Sequence, residues 1–361
     1  MRIAIAFACS VAAATASSLA QAQAFEVDAR APRFAPARAG DPSLEGRLPD
    51  AKDVAMPWVH GGPAGVAGRI NDAIYLQLLE MLAPRAPGDT FTAPANGQLQ
   101  NFCDIGFSIG RNDGRVLSIQ MALGSRGLAH CSWYRNTLVF DARTGRELWW
   151  ADILTPPGRD ALIQHRNESA IEANCEALAD LPPDPDEPTP PEDDACADVS
   201  PPRHAGPTPA RDADPNHPDG EQREFFRRCI WQWQSSDPHA ALEFLAPAEP
   251  GLSLPLYPCA GDNRHEIPID VTPDAVAIPV AELEPLLTAY GRRLLLGQGD
   301  APAPANLFGH TLRGHVGTAR ITLHLAWPSG EKNEIQATYA YDRIGTAITM
   351  FGNAPGDAIE L

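Results

Sequence analysis

The chain has 361 residues, a formal net charge of −18 at neutral pH and a mean hydropathy of −0.23. A surface this acidic repels phosphate backbones and anionic lipid, which argues against nucleic-acid and membrane-surface roles. Beyond the first residues no apolar run reaches the length of about 18 that a bilayer span needs, so no retained membrane helix is expected.

Residues 1–24 read as a secretory signal peptide. Arg2 supplies the positive start and residues 3–14 a short apolar core. Ala22-Gln23-Ala24 is a small-x-small cleavage site, with Ala20-Gln21-Ala22 as a second choice. Cys9 has too little apolar sequence before it to be a lipoprotein cysteine, and it leaves with the leader. The expected location is therefore periplasmic or secreted. Cys103, Cys131, Cys175, Cys196, Cys229 and Cys259 remain, and an even set in an exported chain favours disulfides. There is no C-x-x-C, so neither a zinc ribbon nor a thioredoxin-like site is supported, and no cofactor or metal is expected.

Residues 25–54 show no apolar period and read as an irregular leader with at most one edge strand. Val66, Ile70, Ile74, Leu78 and Leu82 recur every four residues, which predicts an amphipathic helix over 65–82, ending before Pro84. A strand over 101–110 turns at Arg111-Asn112-Asp113-Gly114 into the centre of the chain. There Leu117, Ile119, Met121 and Leu123 alternate with small or polar neighbours, the mark of a strand with one buried face. A Gly-rich loop over 124–131, a second strand over 133–140, a turn at 141–145 and a third strand over 147–154 complete a predicted antiparallel meander.

A helix is expected over 159–181, then a Pro-rich acidic insertion over 182–219 that cannot bury enough apolar surface to order itself. A short helix over 221–233, a hairpin over 241–256 split at Pro250-Gly251, and a strand over 275–279 follow. Leu283, Leu287, Tyr290 and Leu294 predict a helix over 281–296, stopped by Gly297. Residues 298–305 read as a linker, and 306–361 as a small antiparallel β-module that leans on the main domain over 55–297. The predicted fold class is α+β, an antiparallel meander packed with helices followed by this all-β module.

Gly106-Phe107-Ser108-Ile109-Gly110 is a G-x-S-x-G string, with His60-Gly61-Gly62 upstream like a lipase oxyanion loop. A nucleophile elbow needs a helix directly after the serine. Here a turn and a strand follow, so Ser108 reads as an ordinary sheet residue. His130, His310, His315 and His324 have no metal-ligand spacing and read as solvated or capping side chains. Trp133, Tyr134, Trp149 and Trp150 form an aromatic cluster. Alternation sends at least half of it to the core, and the rest would make a contact face.

The helix over 65–82 precedes a meander carrying Asp141-x-x-Thr144-Gly145 and Asp152-Ile153-Leu154. Gly251-Leu252-x-Leu254 with Tyr257, and then Ile278-Pro279-x-x-Glu282-Leu283, follow it. In this order the motifs resemble a secreted bacterial domain-of-unknown-function family, over roughly residues 55–297. That family forms the extracellular part of the lysozyme-sensing anti-sigma factor and the non-catalytic domain of some peptidoglycan deacetylases. Where the family often has a Gly-Ala-His-Gly-Asn-like loop, this chain has Gly127-Leu128-Ala129-His130-Cys131, and Tyr257-Pro258 replaces its Tyr-Glu. Gly314-His315-Val316-Gly317 through Tyr339-Ala340-Tyr341 and Gly352 resembles a small β-module appended to other exported bacterial proteins. The resemblance implies an envelope binding or sensing protein without catalytic activity. Its ligand would be a protein, lysozyme-like by resemblance only, or a cell-wall component. The candidate contact residues are His130, Trp133, Tyr134, Trp149 and Tyr257. A serine hydrolase using Ser108 and a purely structural envelope protein are the alternatives.

The disulfide expectations follow. Cys103 and Cys131 flank one middle strand, about 9–10 Å apart at ~4.8 Å per strand spacing, beyond the ~7 Å a disulfide allows. The resemblance places the loop after the late hairpin near the His130 loop, which implies Cys131 with Cys259. Cys175 with Cys196 would tie the helix end to the insertion. Cys103 with Cys229 follows by elimination, and Cys175 with Cys229 is a rival.

Overall fold

A computed structural model describes residues 24–31, 33–34, 53–85, 92–93, 102–126, 131–181, 246–248, 251–255, 275–326 and 334–353, and separate helical positions between 223 and 234. The signal residues before 24 and the insertion over 182–219 lie outside the described residues. The fold is α+β with antiparallel sheets.

Two described stretches of the leader are strand. β1 (Phe25–Arg30) pairs antiparallel with β3 (Met56–Gly61), and two-residue β2 (Arg33–Phe34) pairs in parallel with β4 (Thr92–Ala93). In β1, Phe25 and Val27 point to the core, and Glu26 and Asp28 point away. That alternation is present in the sequence but spans only six residues beside Ala-Pro stretches. In β3, Met56, Trp58 and Val59 are all buried, so no alternation marks the strand.

α1 (Val66–Leu79) is the predicted amphipathic helix. Its Val66, Ile70, Ala73, Ile74 and Leu78 join the main core with Met56 and Val59 of β3. Asn71, inside that face, accepts from the Val59 N–H and donates to the Val59 carbonyl, both at 2.7 Å. Its amide thus takes the place of a neighbouring strand on that edge of β3.

The meander is β5 (Phe102–Asn112), β6 (Val116–Arg126) and β7 (Cys131–Asp141), in the order β5-β6-β7. Leu117, Ile119, Met121 and Leu123 face α1 across the core, as their period of two requires. β6 runs on to Arg126, where a Gly-rich loop is expected from 124. The expected strand over 147–154 is corrected. Glu147 bridges to Phe140 and Leu154 to Leu287, and between them the chain forms α2 (Trp150–Ile153). Asp152 turns the chain there by accepting the Trp149 N–H at 3.0 Å.

The Cys103–Cys131 disulfide is a second correction. It joins β5 to β7 across β6, with Cα atoms 6.3 Å apart. The strand order that argued against it stands; the flat-sheet distance does not. A bulge at Cys103 shifts the β5–β6 register and takes that residue out of the regular strand spacing. Gly124 lies between the two cysteines and leaves room for the sulfurs. This pair excludes Cys131 with Cys259 and Cys103 with Cys229. Cys175 and Cys229 are each disulfide-bonded. Cys196 and Cys259 lie outside the described residues.

α3 (Pro156–Ala179) fits the helix expected over 159–181. Prolines occupy its first turn, and Thr155 accepts the Gly158 N–H at 3.1 Å as its cap. Its far end packs Ala177 and Leu178 on Phe226 and Ile230, which lie in helical conformation. β8 (Ala246–Ala248), β9 (Gly251–Pro255) and β10 (Ala275–Pro279) form the expected hairpin and strand as one antiparallel sheet.

The single helix expected over 281–296 is broken. α4 (Val280–Leu283) runs into a 3-10 turn at Glu284–Leu286, and Leu287 is extended and bridges to Leu154. Helical structure restarts at α5 (Ala289–Gly291), where Thr288 accepts the Gly291 N–H at 2.8 Å. It continues as a π turn, Arg292–Leu296, to Gly297 at φ +70°.

β11 (Thr311–Val316), β12 (Ala319–Leu325), β13 (Glu334–Tyr341) and β14 (Ala347–Asn353) form a four-stranded antiparallel sheet. Its β11, β12 and β13 pack on α1, and the N–H groups of Leu82 and Ala347 bond the carbonyls of Gly345 and Glu80.

Candidate functional site

A cleft of about 190 Å³ opens between β3 and the first half of α1. Trp58, His60 and Gly61 form one wall, Ala67 and Gly68 the floor, and Asn71, Pro84 and Arg85 the far side. The wall is rigid. The Trp58 indole donates to the Pro84 carbonyl at 3.3 Å and carries the Arg30 guanidinium 4.7 Å above its ring. The His60 ring stacks against it at 5.2 Å. The imidazole Nε2 of His60 lies 3.4 Å from Asp28 and 3.7 Å from Glu26, its neighbours across β1.

The charged residue of the cleft, Arg85, is held by Asp72, the α1 residue next to Asn71. Asp72 is fully buried, and both its oxygens accept from Arg85 Nη1 at 2.8 Å. Arg313 Nη2 of β11 lies 3.4 Å from its Oδ2. The Arg85 and Arg313 side chains are 50% and 59% exposed. A buried carboxylate therefore fixes two arginines whose outer donors face water, in a chain that is otherwise strongly acidic.

A second polar cluster is structural. Arg146, fully buried, donates to Asp152 at 2.9 Å, to Asn306 at 3.0 Å and to the Phe308 carbonyl at 2.9 Å. Burial pushes the Asp152 carboxyl up, against the opposing effects of the Trp149 N–H and Arg146. Asp141 Oδ2 accepts from Tyr290 at 2.7 Å and Arg293 at 2.9 Å. Burial and then the Asp141 charge push the Tyr290 phenol up. His324, expected as a solvated or capping side chain, is buried, with Nε2 3.0 Å from Glu147 and Nδ1 3.4 Å from Thr311. Burial, with Arg146, Arg69 and His324 nearby, pushes His310 down.

The predicted contact residues do not assemble into one site. His130 and Tyr257 lie outside the described residues. Trp133 and Tyr134 sit on β7, opposite Gly124 and Leu123. Trp149 precedes α2, and its ring lies 6.5 Å from that of Trp150, which stacks under Arg159. Ser108 is exposed in the middle of β5 and donates to Gln120 at 3.4 Å; a turn and β6 follow it. Sequence reading missed Arg85, Asp72 and Arg313. No periodicity signalled them: Asp72 falls opposite the apolar stripe of α1 and is buried only where Arg85 and β11 pack against it.

Among the described residues no three His, Cys, Asp or Glu side chains gather as a metal site, and no helix is long and apolar enough to cross a membrane. No family model matches the chain, and no curated protein matches it.

Proposed function

We propose that this chain is an exported cell-envelope binding or sensing module without catalytic activity, and that it takes its ligand in the cleft between β3 and α1. The observation that carries the reading is the arginine pair held by buried Asp72: Arg85 lines that cleft, and Arg313 Nη2 approaches its Gly68. Walls tied by hydrogen-bond and ring contacts and an exposed charge suit recognition, and Ser108 has neither a helix behind it nor a histidine among its hydrogen-bond partners. The Cys103–Cys131 disulfide supports an oxidising compartment and hence the signal peptide read at residues 1–24. The resemblance to the lysozyme-sensing and deacetylase-associated domains supports an envelope protein or cell-wall ligand.

The test is affinity capture with the mature protein, against envelope extract and purified lysozyme. Lysozyme is strongly basic and this chain strongly acidic, so only retention at high salt counts. A saturable partner that survives high salt is the expected result. Release of everything captured as salt rises would overturn the reading. Labelling of Ser108 by a serine-directed probe would put hydrolysis in its place.

A further inference from the structure

We infer that the cleft is a receptor for a small carboxylate, the C-terminal end of a short peptide; this inference rests on the cleft-binding reading above. Size sets the first limit. About 190 Å³ is below the ~300 Å³ at which drug-sized ligand pockets begin, so the cleft takes the end of a ligand and not its whole.

Charge sets the second. Arg85 uses one nitrogen, Nη1, on both oxygens of Asp72. Its Nε and Nη2 make no hydrogen bond among the described residues and sit on a half-exposed side chain. Arg313 stands over the floor, with Nη2 about 4.0 Å from where a Cβ on Gly68 would be. Two guanidinium groups against one carboxylate leave one positive charge, held in place without a ligand. Planar donors fixed in this way match the two oxygens of a carboxylate.

The floor adds to this. α1 starts at Gly65 with no side-chain cap and no acidic residue in its first turn. The N–H groups of Ala67 and Gly68 fall among the first few of the helix, which have no intrahelical acceptor, and both residues line the cleft. On the β3 side, His60 faces Asp28 and Glu26 of β1, and Asp28 is also paired with Arg30 at 3.1 Å. Both Arg85, a cationic group for a carboxylate, and His60 line the cleft. Between them Ala67, Gly68 and Pro84 leave space for a small apolar side chain.

The experiment is calorimetric titration of the mature protein with N-acetyl-alanyl-alanine, its C-terminal amide, and inorganic phosphate. Saturable binding of the acid is expected, with the amide at least tenfold weaker and phosphate weaker than the acid. Arg313→Gln should weaken the acid about tenfold. Gly68→Leu should abolish binding by filling the floor. It replaces glycine with a better helix former; the nearest atom to the new Cβ is Arg313 Nη2, 4.0 Å away at the end of a flexible side chain, so the melt of this variant is measured beside that of the parent. Equal binding of acid and amide, phosphate binding as tight as the acid, full binding by Gly68→Leu, or no saturation by the acid would each overturn the inference. Running Gly68→Leu through the envelope capture separates the two readings. If it keeps the high-salt partner, the module reading stands and the cleft is not its site. If the parent captures nothing yet binds the acid, the carboxylate site stands and the envelope-partner reading falls.

Discussion

Gly124 lies beneath the sulfur of Cys131: a Cβ on this glycine would stand 2.8 Å from Cys131 Sγ and 3.0 Å from Cys103 Sγ. The middle strand of the meander can carry a disulfide across its face only because one residue there has no side chain. Gly124→Ala should therefore destabilise the domain by about 1–3 kcal/mol through overpacking. In a Cys103→Ala, Cys131→Ala background the same change should cost little. Urea unfolding of the four proteins measures the coupling, and equal costs in both backgrounds would refute the crossing.

The disulfide itself closes a loop with a sequence separation of 28. The chain-entropy model gives it roughly 3–4 kcal/mol. The double alanine variant should lose about that much, and non-reducing peptide mapping of the parent should recover Cys103 linked to Cys131. With Cys175 and Cys229 also oxidised, thiol titration of the denatured mature chain should find no free cysteine. A count of two or more would show that Cys196 and Cys259 stay reduced.

α1 and β6 were legible because each shows one period over many residues. Apolar side chains recur every four positions in 65–82 and every second position in 117–123, and tertiary packing reinforced both. The run at 147–154 misled because Leu148, Trp149 and Trp150 are strand formers by type. One short-range bond, Trp149 N–H to Asp152, and a long-range one, Arg146 to the Phe308 carbonyl, decide against a strand. The cleft was illegible for a similar reason. Asp72 meets Arg85 over a sequence separation of 13 and Arg313 over one of 241, and no periodicity encodes either contact. The disulfide was misjudged by treating a bulged sheet as regular.

Arg146 and Asp152 are nearly fully buried and 2.9 Å apart. Replacing Arg146 with Met removes the charge and strands the carboxylate, which should cost about 3–5 kcal/mol. The same variant also releases Asn306 and the Phe308 carbonyl, so protease sensitivity around 306–308 should rise. Asp152→Asn in the Arg146→Met background should recover part of the loss, since no uncompensated charge remains. Additive losses in denaturant unfolding would show that the two side chains do not act as a pair.

Asp113 gives the domain a pH dependence of definite sign. Its Oδ1 accepts the backbone N–H groups of Arg115 and Val116, both at 3.0 Å. Its Oδ2 accepts Arg111 and Arg115, both at 2.7 Å, and the same Arg111 nitrogen reaches the Leu295 carbonyl at 2.9 Å. Burial alone would raise this carboxyl, but the Arg111 bond, the two backbone donors and the Arg111 charge together hold it below its ordinary value. A carboxyl lowered in the folded state contributes stability above its unfolded pKa of about 3.9 and loses it as pH falls through the folded value. Asp113→Asn should therefore cost roughly 2–3 kcal/mol at pH 7, with the hydrogen bonds to the charged group gone. The gap between parent and variant should narrow as pH falls below about 4. Urea midpoints of both proteins at pH 7, 5 and 3 measure it, and a gap that stays constant across that range would mean the turn is held by its backbone alone.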